Sequence, residues 1–81
     1  YIFMRIPIMA GKEVLNLLLK QGFVIVRQKG SHIHLVKQLP EKFLRVTVPL
    51  HGNKDLLPKT MNSVIKQAGY TLDEFLKLLG R

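Results

Sequence analysis

The sequence predicts an α+β domain: a three-stranded antiparallel sheet with helices on one face. Three observations predict it. Apolar residues recur at helical spacing near both ends of the chain; in the middle they alternate at strand spacing; and the segments joining the strand-like runs are too short for parallel crossovers. The chain has 81 residues, which makes one domain. A domain of this size buries only roughly 60–65% of its unfolded surface, so every apolar stripe has to find a partner.

The elements follow in order. From Gly11 to Gln21, Val14, Leu15, Leu17, Leu18 and Leu19 repeat with helical period, and Gly22 is a C-terminal stop. Phe23 to Gln28 is a β-branched and apolar run, hence a strand, with Phe23 assigned to the core. Lys29-Gly30 reads as a tight turn. From Ser31 to Lys37 the chain alternates, with Ile33 and Leu35 on one face and His32 and His34 on the other. A loop around Pro40 leads to a third strand, Phe43 to Val48, in which Leu44, Val46 and Val48 oppose Arg45 and Thr47; Phe43 is also assigned to the core. A longer loop, Pro49 to Leu57, contains His51-Gly52-Asn53-Lys54. Pro58 opens a helix whose stripe is Met61, Val64, Ile65 and Ala68. Thr71 and Glu74 form a capping box for a short last helix, with Leu72, Phe75, Leu76 and Leu79 on its buried side. Helices that hide their stripes on a single sheet pack on one face of it and leave the other open. His32 and His34 are expected on that open face.

Residues 1–9 are read as an N-terminal extension, extended or poorly ordered, and residues 10–81 as the folded domain. The first nine residues are apolar but broken by Arg5 and Pro7, too short and interrupted for the core of a signal peptide.

Composition narrows the function classes. Thirteen Lys and Arg face five Asp and Glu, a formal charge of +8, which favours a polyanionic partner: nucleic acid, an acidic protein or an anionic membrane. Membrane is the weakest of these, because no stretch approaches the roughly 20 apolar residues of a spanning helix. Cysteine is absent, which excludes a disulfide framework and a thiolate metal site and fits a reducing, cytoplasmic setting.

The candidate chemistry lies in Lys29-Gly30-Ser31-His32-Ile33-His34. Imidazole, with an unperturbed pKa of about 6.5, is the side chain best able to exchange a proton near neutrality. A glycine turn lets backbone approach a ligand, and a lysine attracts an anion. The combination fits a site that handles a phosphate. The bland alternative for each histidine is a surface residue without duty. A catalytic zinc site needs three protein ligands, and no carboxylate or cysteine stands at a supporting distance from His32 and His34, so no metal and no cofactor is expected.

The series Gly22-Phe23, Arg27-Gln28-Lys29-Gly30-Ser31-His32, Val48-Pro49-Leu50-His51-Gly52 and Pro58-Lys59-Thr60 resembles the HicA toxins, also called the YcfA-like family, over about residues 11–78. The resemblance implies a fold like that of double-stranded-RNA-binding domains, and an mRNA interferase that acts as the toxin of a toxin–antitoxin pair. It implies a HicB-type antitoxin that masks the active site, with the toxin a monomer alone or a hetero-oligomer with that antitoxin. It also implies that His32 is the catalytic histidine. Many relatives have a second histidine directly after it; here that position is Ile33, and the next histidine is His34.

On that reading RNA supplies the nucleophile, its own 2′-hydroxyl. His32 acts as general base or acid, and Lys29 with the Gly30-Ser31 backbone grips phosphate. Arg27, His34, Lys37, Arg45 and Lys59 are the further candidates for RNA contact. His51 binds RNA, meets the antitoxin or holds its own loop. Two other readings stay open: a non-catalytic RNA-binding module on the same sheet, and a protein-interaction module with an acidic partner.

Overall fold

A computed structural model of the chain describes residues 6–52 and 54–80. It contains helix α1 (Gly11–Lys20), strands β1 (Val24–Lys29), β2 (His32–Gln38) and β3 (Phe43–Pro49), and helices α2 (Pro58–Gln67) and α3 (Leu72–Leu78). The strands form one antiparallel sheet in the order β1-β2-β3. The architecture is therefore α+β, in the expected order α-β-β-β-α with a short C-terminal helix.

Alternation builds the core. Ile33 and Leu35 on β2 lie opposite Val48 and Val46 on β3, and all four are buried. Val14 and Leu18 of α1, Met61, Val64 and Ile65 of α2, Ala68 just after it and Phe75 of α3 close over them. Burial of a side chain such as Phe75 contributes about 1.5–3 kcal/mol. Phe23 is buried as expected. Ile6 and Met9 are in the core as well, and the Met9 carbonyl accepts a hydrogen bond from the Leu56 N–H at 2.9 Å. The chain before α1 is thus packed from Ile6 onward, within the stretch read from sequence as an extension; residues 1–5 lie outside the described residues.

One expectation is corrected. Phe43 is not core: it pairs with Gln38 on the open face, is 47% exposed, and carries the Arg45 guanidinium 5.5 Å above its ring. Strand β1 is exposed along its whole length. Val24 and Val26 are 58% and 59% exposed, because β1 is the sheet edge and the helices lie elsewhere.

The β1–β2 ladder has a bulge between Ile25 and Arg27. Ile25 pairs with Leu35, whereas Arg27 pairs with His34 and Lys29 with His32. The extra residue, Val26, changes the facing of everything after it. Arg27 and Lys29 consequently share the histidine face, while Ile25 stays on the helix side.

The helix caps differ in quality. Glu13 accepts from the Ala10 N–H at 3.0 Å, but alanine has no oxygen to return the bond. At α3 both halves are present: Glu74 N–H donates to Thr71 Oγ1 at 3.1 Å, and Thr71 N–H donates to Glu74 Oε1 at 2.8 Å. The Thr71 backbone bond, then its hydroxyl, holds the Glu74 carboxyl below the ordinary glutamate range. A depressed carboxyl stabilises the fold fully above its unfolded pKa and loses that effect as pH falls through the folded one. Thr71→Ala is expected to cost about 1 kcal/mol in urea denaturation at neutral pH, and the difference from the native chain should shrink on acidification through the Glu74 titration. A difference that does not depend on pH would count against the reciprocal cap.

Candidate functional site

The site begins at the β1–β2 turn. Lys29 and His32 are cross-strand partners joined by Gly30-Ser31. Gly30 takes φ +59° at the first central position, as type II′ hairpin turns require. No heavy atom would come within 4 Å of a Cβ placed there, so the turn is open to a ligand.

His32 is exposed at the start of β2, with Lys29 on one flank and Pro49 on the other. Its orientation follows from burial of Ile33: a strand that turns Ile33 inward turns both neighbours outward. His34 follows on the same face and is half-buried. His34 Nδ1 and Thr47 Oγ1 share a hydrogen bond of 3.1 Å.

The open face has a wall. Helix α2 runs beside the free edge of β3, and Gln67 Oε1 accepts the Thr47 backbone N–H at 3.0 Å, satisfying an edge donor. Gln67 Nε2 in turn donates to Ser63 Oγ at 3.0 Å. Between this wall and the sheet lies a groove of about 520 Å³ lined by His32, Thr47, Pro49, His51, Lys59, Thr60, Ser63, Val64 and Gln67. That volume falls in the range of small-molecule sites, roughly 300–1,000 Å³. A second groove on the open face is lined by Arg27, His34, Phe43, Arg45 and neighbouring residues.

His51 is the residue the sequence underrated. Its exposed ring meets that of His32 edge-on, with centroids 6.4 Å apart and an interplanar angle of 86°. The loop that carries it is fixed by backbone. Leu50 N–H donates to the Ser31 carbonyl at 2.6 Å, and Lys54 N–H to the His51 carbonyl at 3.1 Å. Gly11, the first residue of α1, is pressed against the same segment. A Cβ there would overlap the Pro49 carbonyl and touch Leu50 Cδ2 at 3.0 Å. The start of α1 therefore supports the loop that holds His51.

The expected site residues divide. Lys29, Gly30, Ser31 and His32 lie together at the turn, and Lys59 joins His32 across the groove. Arg27, His34 and Arg45 line the adjoining groove. Lys37 belongs elsewhere. It shares the face of Ile33 and Leu35, and its ammonium donates to the Gln21 carbonyl at 2.7 Å, 5.7 Å from the Phe23 ring centroid. It neutralises the carbonyl end of α1 rather than facing the histidines. Among the described residues no cluster of three or more His, Cys, Asp or Glu could hold a metal ion.

Taken together these features define a small basic α+β domain whose open sheet face carries a row of cations and an exposed imidazole, His32, met edge-on by a second, His51, from the loop after β3. The chain belongs to the HicA family: a family model described as the HicA toxin of bacterial toxin–antitoxin systems matches residues 11–70. Membership assigns it the toxin role in such a system, and with it an antitoxin partner. No curated protein matches the chain significantly. Among the described residues no helix is long and apolar enough to cross a membrane.

Gly11→Ala is expected to destabilise by about 1–3 kcal/mol, the usual cost of overfilling a packed site, and to move the His51 and His32 ring resonances in NMR spectra. Lys12→Ala, on the exposed side of the same turn, should move neither. Unchanged melting and unchanged ring resonances in Gly11→Ala would mean the helix start does not support the loop.

Proposed function

We propose that the chain is a metal-independent RNA endonuclease of the cytoplasm, the mRNA-cleaving toxin of its pair, restrained when a HicB-type antitoxin covers the histidine groove. The observation that carries this reading is the exposed His32 ring beside His51, in a groove that also presents Lys59.

The reaction needs little from the protein. The ribose 2′-hydroxyl loses its proton, its oxygen attacks phosphorus, and the bond from phosphorus to the 5′-oxygen breaks. That oxygen is protonated as it leaves, giving a 2′,3′-cyclic phosphate and a 5′-hydroxyl. His32 transfers one of the two protons, a contribution of roughly 10²–10⁴-fold. Lys29 and Lys59, on either side of His32, supply positive charge to the phosphorane. The Gly30-Ser31 turn offers backbone against the phosphate. Arg27, His34 and Arg45 extend the binding face toward the next nucleotides. From His32 to Val36 a strand advances roughly 13 Å, a track for single-stranded backbone across the sheet.

The test is incubation of purified protein with labelled RNA in EDTA. Native protein is expected to cut, and His32→Ala to cut about 10²–10⁴-fold more slowly at the same melting temperature. RNA that is bound but left intact by the native protein would sink the nuclease reading in favour of a non-catalytic binding module.

Binding gives a second test. With about six phosphates engaged, affinity should fall by roughly 10³-fold between low and physiological salt. Arg27→Ala should weaken RNA binding and flatten that salt dependence by about one phosphate contact. Lys37→Met should leave affinity unchanged and lower only the melting temperature. Equal losses of affinity in the two variants would contradict the division of the sheet into a helix side and an RNA side.

A further inference from the structure

Cleavage of this kind moves two protons, one off the 2′-oxygen and one onto the 5′-oxygen, and His32 accounts for one. We propose that His51 is the second proton-transfer residue, the donor to the leaving 5′-oxygen, with His32 as the base. The assignment rests on the nuclease reading and adds a named partner to it.

The geometry points to His51 on three counts. Its ring lies 6.4 Å from that of His32, centroid to centroid, and nearly perpendicular to it. The two rings can therefore meet different oxygens of one phosphodiester. Both line the same groove, together with Lys59 and Ser63. And the loop is anchored through backbone: Leu50 N–H to the Ser31 carbonyl, Lys54 N–H to the His51 carbonyl, and the packing of Gly11 on Pro49. Among the described residues the His51 ring makes no hydrogen bond to its own loop; its contact is His32.

The other polar groups of the groove are less suited. Lys59 is a cation whose natural part is to neutralise charge. The Ser63 hydroxyl accepts a hydrogen bond from Gln67 Nε2, and Gln67 is itself tied to the β3 edge. His34 is held by Thr47 in the neighbouring groove. Imidazole is the side chain that gives and takes a proton at neutral pH. The division of labour follows from support. His32 is held between two ladder partners, which suits a base that must stay against the 2′-hydroxyl. His51 rides on a loop, which suits an acid that follows an oxygen as its bond to phosphorus lengthens.

The experiment uses a short oligoribonucleotide with a single scissile linkage, made with either the natural 5′-oxygen or sulfur in its place. A thiolate leaves without being protonated, so a variant that lacks only the acid regains its rate on the sulfur substrate. His51→Ala and His51→Gln are expected to cut the oxygen substrate about 10²–10⁴-fold more slowly than native protein and the sulfur substrate nearly as fast. His32→Ala should be slow on both. Native-like melting and RNA affinity of the His51 variants serve as the fold control. His51 variants that cut the oxygen substrate at the native rate, or that are equally slow on both substrates, overturn the proposal while leaving His32 and the nuclease reading intact. Rescue of His32→Ala instead overturns the assignment of roles. Failure of native protein to cut either substrate overturns the nuclease reading and this inference together.

Discussion

Ile33 and Leu35 cannot be buried without turning His32 and His34 outward. Both aliphatic side chains sit at the centre of the core, opposite Val48 and Val46 on β3 and beneath α1 and α2. The strand period does the rest. In a domain this small the two buried residues are a substantial part of the core, so the orientation of β2 is fixed by the same free energy that holds the fold. The imidazole of His32 thus depends for its placement on apolar packing one residue away, not on hydrogen bonds of its own.

The second constraint lies at the free edge of β3. An edge strand exposes N–H groups that have to be satisfied or covered. Gln67 takes the Thr47 N–H, which draws α2 up along the sheet. That contact turns a flat face into a groove, and it brings Lys59 and Ser63 within the same space as His32 and His51. A device that protects a strand edge therefore also builds one side of the candidate active site. The Gly11 contact acts in the same spirit from the opposite end of the chain, since close packing of α1 on Pro49 restricts the segment that leads to His51.

Much of this was legible in the sequence, and what was not has physical reasons. The helical stripes, the Gly30 turn and the Thr71–Glu74 cap are local signals, and the structure reproduces them. Lys37, expected among the RNA contacts, has the parity of Ile33 and Leu35, and alternation puts it on the helix side instead. Phe43 has the parity of Arg45 and Thr47, and the same rule puts it on the open face; its hydrophobicity argued against the pattern and the pattern prevailed. The bulge at Val26 had no signal, because no glycine marks it among three β-branched residues. The approach of His51 to His32 could not be read either. It depends on a loop path set by backbone bonds to Ser31 and by helix packing, neither of which leaves a periodic trace.

The bulge lets β1 lose a residue without losing its sides. With Val26 removed and the turn kept in register, Ile25 and Arg27 become neighbours that still oppose Leu35 and His34, so simple alternation keeps Ile25 on the helix side and Arg27 and Lys29 beside the histidines. Flattening the bulge at unchanged length has the opposite result: either Ile25 leaves the helix side, or Arg27 and Lys29 turn under the sheet against Ile33 and Leu35. A slip of register, not a shorter strand, is what exchanges the two surfaces of the sheet.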